Sequence, residues 1–300
     1  MSLPARVQGQ AAEGGEPAGQ VDLGELIMHH LTDADVLEFP PFGVLELPHG
    51  WNVALGPLGT VDFAPTKHVI LMLAAALLCI AVFVPLARAA RRREHGRAPT
   101  GLAGSVEAMT LYFRDEVVRR NIGHGADAYV PYVLTLFFFI LAMNLMGLVP
   151  WGGSATGNLS VTAALAMCTF VLVEVSGMKA LGFSGYMRTI FFVPTGMSGI
   201  GKVLMLVVMT PVEFLGKLTK PFALAIRLFA NMTAGHTLLF ALGGLIFIFL
   251  NLLAVTAGVA VASTVMATGV MVLEVFVAFL QAFIFALLTA VFVGLIRHAH

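Results

Sequence analysis

Residues 258–296 form an apolar run that contains no proline, and its only formal charge is Glu274. As a helix it would extend roughly 58 Å at 1.5 Å per residue, about twice the ~30 Å hydrocarbon core of a bilayer. A soluble domain has no interior large enough to hide such a segment, so this run alone restricts the chain to the membrane. Other apolar stretches agree with it: about His68–Ala89, Tyr129–Val149, Leu159–Met178, and the longer region 203–250. The expected fold is therefore an all-α integral membrane protein with about five membrane helices. The last two, within 203–297, overshoot the bilayer so far that they are expected to form a steeply tilted hairpin. Pro211 and Pro221 are expected to break the first of them.

The charges give the direction of the chain. Before Thr66 there are nine acidic residues and one basic one, Arg6, whereas residues 88–97 hold five arginines against Glu94. By the positive-inside rule the end of the first span is cytoplasmic and the N-terminus lies outside. The remaining basic loops alternate consistently and place the C-terminus in the cytoplasm. Residues 1–20 read as disordered, 21–65 as an extramembrane segment with one helix around Leu23–Leu31, and 66–300 as the membrane domain. Residues 102–120 repeat Leu102, Val106, Met109, Phe113 and Val117 at helical spacing, with charges on other faces, which reads as an amphipathic helix at the cytoplasmic surface. No signal or transit peptide is expected at the N-terminus. The net formal charge is zero, so nothing suggests a nucleic-acid partner.

Ionisable groups in apolar spans are costly and mark function by default. The final hairpin holds Glu213, Lys217, Lys220, Arg227, His236 and Glu274, with the amides Asn231 and Gln281. Lys217 and Lys220 read as lysines that snorkel to the interface. Glu213 lies near Pro211 and reads either as solvated or as part of an inner aqueous path; Glu174 carries a weaker signal still. Arg227 and Asn231, four apart, share one helix face, and His236 falls on the opposite one. When the two helices fold back antiparallel, Arg227 with Gln281 centres the turn at residue 254, and His236 with Glu274 centres it at 255. One turn near 251–258 thus brings both pairs to matching depths. Histidine and glutamate titrate in an accessible range, so that pair is expected to exchange protons. A guanidinium does not deprotonate usefully, so Arg227 reads as a fixed charge whose counter-ion comes from another chain.

"KPFALAIRLFANMTAGH" followed by "LEVFVAFLQAFIFALLTAVF" resembles subunit a of the F-type ATP synthase, the stator half of its membrane proton motor. The resemblance is most specific over 213–296 and extends more loosely to about residue 68. It implies a proton-translocating, non-catalytic subunit without cofactor or metal, embedded in lipid. The partners it implies are a rotating ring of subunit c and the peripheral-stalk subunit b. On the matching positions, Arg227 would attract the ring's ionised carboxylates and block leakage, with Asn231 and Gln281 beside it. His236 and Glu274 would serve an outer half-channel and Glu213 the inner side. His236 and Glu274 stand exchanged between the two helices relative to the enterobacterial pattern, which is consistent with contact between them.

A secondary transporter holding an anion at Arg227 is the competing reading, but no internal repeat supports it. "GMSGIGKV" at 196–203 lacks the Ser/Thr of a phosphate loop. The C-terminal "HAH" reads as a solvated tail.

Overall fold

A computed structural model describes residues 36–39, 43–46, 52–54, 60–62, 66–91, 101–149, 154–191, 199–248 and 253–298. The helix expected at Leu23–Leu31 and the tail 1–20 lie outside them. Ahead of the membrane domain run two antiparallel strand pairs: β1 (Val36–Phe39) with β2 (Gly43–Glu46), and β3 (Asn52–Ala54) with β4 (Thr60–Asp62). Every regular element described after them is helical, as the apolar runs require.

The membrane domain comprises α1 (Lys67–Arg91), α2 (Leu102–Tyr112), a π-helical stretch Phe113–Arg119, and the short α3 (Arg120–Ile122). There follow α4 (Val130–Gly147), α5 (Leu159–Ile190), α6 (Ile200–Ile248) and α7 (Leu253–Arg297). By length and composition α1, α4, α5 and α7 can each cross a membrane. α6 is the remaining long helix and carries most of the intramembrane charges. At 1.5 Å per residue it is about 74 Å long, so neither it nor α7 can stand upright in a ~30 Å core.

Pro211 and Pro221 lie inside α6 without ending it, contrary to the break expected from sequence. A proline removes one backbone bond and crowds the preceding turn. In a membrane helix flanked by others that loss is tolerated, and α6 packs against α5 on one side and α7 on the other. The bend occurs instead in α5, at Gly182, whose φ of 71° and ψ of 165° are open essentially to glycine alone.

The core forms where α4 meets α7. Val133, Phe137 and Ile140 of α4 are fully buried, as are Ala282, Ala286 and Ala290 of α7. These alanines recur every fourth residue on one face, and side chains that small let helix backbones approach closely where lipid gives no hydrophobic drive. The amphipathic segment packs its apolar face on this core: Phe113 sits 4.5 Å from Phe137 and 5.7 Å from Phe283, ring centre to ring centre. The π-helical turn brings both Val117 and Val118 inward. Outside it, Arg119 grips Asp127 through two 2.9 Å bonds. At the same end Arg297 lies 5.5 Å over the Tyr129 ring. The outer face of α1, including Leu77 and Ile80, is bare.

Candidate functional site

On α6, Leu224, Ala225 and Leu228 are buried against neighbouring helices. The opposite face presents Arg227 and Asn231, flanked by Ala223, Ala230 and Ala234, all exposed. Among the described residues no carboxylate pairs with Arg227 and nothing accepts a hydrogen bond from it. An unpaired permanent charge therefore stands on the surface of a membrane hairpin, amid side chains of a single carbon.

Behind that face, α4, α6 and α7 enclose a cavity of about 20 Å³, bordered by Asn144, Asn231, Glu274 and Gln281 among others. Its volume is that of a single water site. Glu274 is 8% exposed, and neither of its buried oxygens has a hydrogen-bond partner among the described residues. It lies against Gly235: a Cβ added at that position would overlap the carboxylate. This contact centres the helix fold-back between residues 254 and 255, although α7 already begins at Leu253.

His236 does not bond Glu274. Its ring nitrogens lie 2.9 Å from the carbonyl oxygens of Gly147 and Met232. Carbonyls only accept, and a neutral imidazole has just one N–H, so both contacts are hydrogen bonds only for the imidazolium. The expected direct pair is thus replaced by adjacency. His236 is tethered to α4 while the residue before it touches the carboxylate. Gly147 makes this possible, because a Cβ there would overlap Met232 and Ser154.

From the small cavity a buried polar chain runs to the start of α1. Asn144 donates to the Ala278 carbonyl at 3.2 Å and accepts from Thr156 at 2.8 Å. The Thr156 hydroxyl in turn meets that of Ser154 at 2.8 Å, and His68 contacts the Ser154 carbonyl at 3.0 Å. His68, Asn144, Ser154 and Thr156 are all at most 5% exposed. Sequence reasoning missed these residues; a lone asparagine within "ILAMNLMG" was the available signal.

At the opposite end, near Ile296, a cavity of about 260 Å³ opens between α5, α6 and α7, with Glu213 and Lys220 on its wall. Lys217 also lines it but does not snorkel outward. Its ammonium lies 3.6 Å from the Glu174 carboxylate and 4.3 Å over the Tyr186 ring. The Tyr186 hydroxyl donates to the same carboxylate. The structure therefore brings together Asn231, Glu274 and Gln281 at one cavity and puts Glu213 at another, with Arg227 on the outer surface between.

Comparison with known proteins points to one family. The sequence profile described as ATP synthase A chain matches residues 69–294. The chain is 40% identical to ATP synthase subunit a 2 of Chlorobaculum tepidum over 98% of its own length and 79% of that protein. It is 40% identical to ATP synthase subunit a of Pelodictyon phaeoclathratiforme, over 95% and 79% respectively. With the subunit a of Anaeromyxobacter dehalogenans the identity is 41%, over 96% and 76%.

Proposed function

The chain belongs to the ATP synthase A chain family, and on that premise we propose how its residues divide the work of the proton-translocating stator subunit. It is a multi-pass membrane protein, non-catalytic by itself, that acts within the multisubunit F-type ATP synthase to couple proton flow to ATP synthesis.

Arg227 is the fixed charge of the motor. Its guanidinium faces a ring of subunit c, attracts each passing ring carboxylate in ionised form, and bars direct proton transfer across that point. The observation that carries this reading is the exposed guanidinium, without a partner among the described residues, on a helix whose other face is buried. A charge so placed makes sense only with a counter-ion from another chain. Asn231 and Gln281 flank it and line the small cavity.

Glu274 and His236 serve the outer half of the path, reached from the extramembrane side through Ser154, Thr156 and Asn144. Glu213 serves the inner half through the larger cavity. The two cavities are offset along the helices, the smaller beside the middle of α7 and the larger toward its C-terminal end, which suits two offset half-channels. Moving one charge through 100 mV is worth about 2.3 kcal/mol, and the offset turns that drop into a sideways step of the ring. The arginines at the end of α1 support a cytoplasmic C-terminus and an outside N-terminus in a bacterial inner membrane. Lipid covers the bare face of α1, and the peripheral-stalk subunit b is the second protein neighbour. The transporter reading has no support from the family membership.

The test is Arg227→Ala in the reconstituted complex. ATP-driven proton pumping and proton-driven synthesis are both expected to disappear, and coupled pumping that survives would overturn the assignment.

A further inference from the structure

The larger cavity has one wall that an ordinary membrane span would not supply. α5 continues past the length of a crossing to Ile190, and its bend at Gly182 divides it into two arms. Tyr186 follows Glu174 by twelve residues. On a straight helix they would stand about 18 Å apart, beyond the combined reach of their side chains. Their hydrogen bond therefore requires the second arm to turn back over the first. Lys217 of α6 enters between the arms, with its ammonium 3.6 Å from the Glu174 carboxylate and 3.4 Å from the Thr189 hydroxyl, to which it donates. Both charged side chains are nearly enclosed, at 11% and 13% exposure. Glu213 lies one turn before Lys217 on the same helix and lines the same cavity.

We propose that Lys217 is a positioning residue for proton translocation: clamped by Glu174 and Tyr186, it pins the second arm of α5 across the larger cavity and holds open the path that contains Glu213. This rests on reading that cavity as the inner half-channel. An ion pair so enclosed needs both members, because removing one leaves the other buried without compensation. The clamp joins both arms of α5 to α6, so its loss lets the second arm swing and the passage narrow or collapse.

The experiment uses the assembled ATP synthase in everted membrane vesicles, with ATP-driven proton uptake and ATP hydrolysis measured side by side. Lys217→Met and Glu174→Gln are each expected to lower proton uptake at least fivefold. Lys217→Arg, which keeps the charge, is expected to retain more than half. Uptake by Lys217→Met within twofold of wild type overturns the proposal, as does an assembled Lys217→Arg complex as deficient as Lys217→Met. Should Lys217→Met fail to assemble, the exchange E174K/K217E decides: recovered uptake upholds the clamp, and its absence overturns it. Independently, Thr189→Cys with Cys79 and Cys168 replaced by serine is expected to react with an impermeant thiol reagent from the outer face of everted vesicles. No reaction at that position also overturns the proposal. Arg227→Ala, measured alongside, keeps the two readings apart. If it abolishes pumping while Lys217→Met pumps normally, only the clamp fails; if it pumps, the stator reading itself fails.

Discussion

Gly235 on α6 lies directly against the carboxylate of Glu274 on α7, so closely that a single methyl group at position 235 would occupy the place of a carboxylate oxygen. This contact fixes the register of the hairpin and leaves the acid wedged, without a hydrogen-bond partner, beside the tethered His236. Gly235→Ala must therefore displace Glu274 or part the helices, and overpacking of this kind costs about 1–3 kcal/mol. Proton pumping by the assembled complex is expected to fall severely even though no ionisable group is removed. Wild-type pumping by that variant would contradict the register.

Asn144 is the joint between the buried polar chain and the small cavity. Asn144→Leu removes both the bond Thr156 donates and the bond the Ala278 carbonyl accepts, a loss of about 1–3 kcal/mol. Passive proton conduction through membranes stripped of the catalytic sector should drop roughly tenfold, the equivalent of about 1.4 kcal/mol. Unchanged conduction would remove the chain from the outer path.

Gly182 has empty space around it yet holds a backbone conformation that other residues resist. Gly182→Ala should destabilise the bend by about 1–3 kcal/mol purely through the backbone. The expected result is a lower yield of assembled complex in blue-native gels, with a similar loss for Gly182→Ser. A normal yield for both would mean that the bend is not needed.

The Asp127 carboxyl is held below the usual carboxylate range chiefly by its hydrogen bonds from Arg119; desolvation opposes this, and the charge of Arg119 and then the hydrogen bond and charge of Arg114 add to it. Its folded-state value is lowered, so its contribution is present at neutral pH and is lost as pH falls through that lowered value. Both partners are well exposed, so Asp127→Asn should change thermal stability little. Whatever difference it makes should vanish only in strong acid; a difference that disappears near neutrality would contradict the pairing.

Much of this was legible from the sequence because its signals are one-dimensional. Apolar run length gives the helices, and equal spacing about a fold-back point gives the level at which α6 and α7 meet. What was not legible depends on backbone atoms or on distant bends. His236 bonds a carbonyl of Gly147, and a carbonyl is common to every residue and leaves no trace in composition. Lys217 read as a snorkelling lysine because Glu174 comes within reach only once α5 packs beside α6, and Tyr186 only once Gly182 bends the second arm back. The two prolines misled for the opposite reason: a local rule yielded to the packing on both flanks of α6.

The alanines around Arg227 bear on friction. A surface built from large side chains has ridges that lock into the grooves of a partner helix and hold it at one position. Ala223, Ala230 and Ala234 leave that part of α6 nearly smooth. In the proposed motor, a helix passing over it would meet one strong electrostatic feature and little steric relief, so each neighbour would be attracted and released without climbing over interlocked side chains. The patch would then work as a bearing, and a bulky residue at any of the three positions would act as a brake.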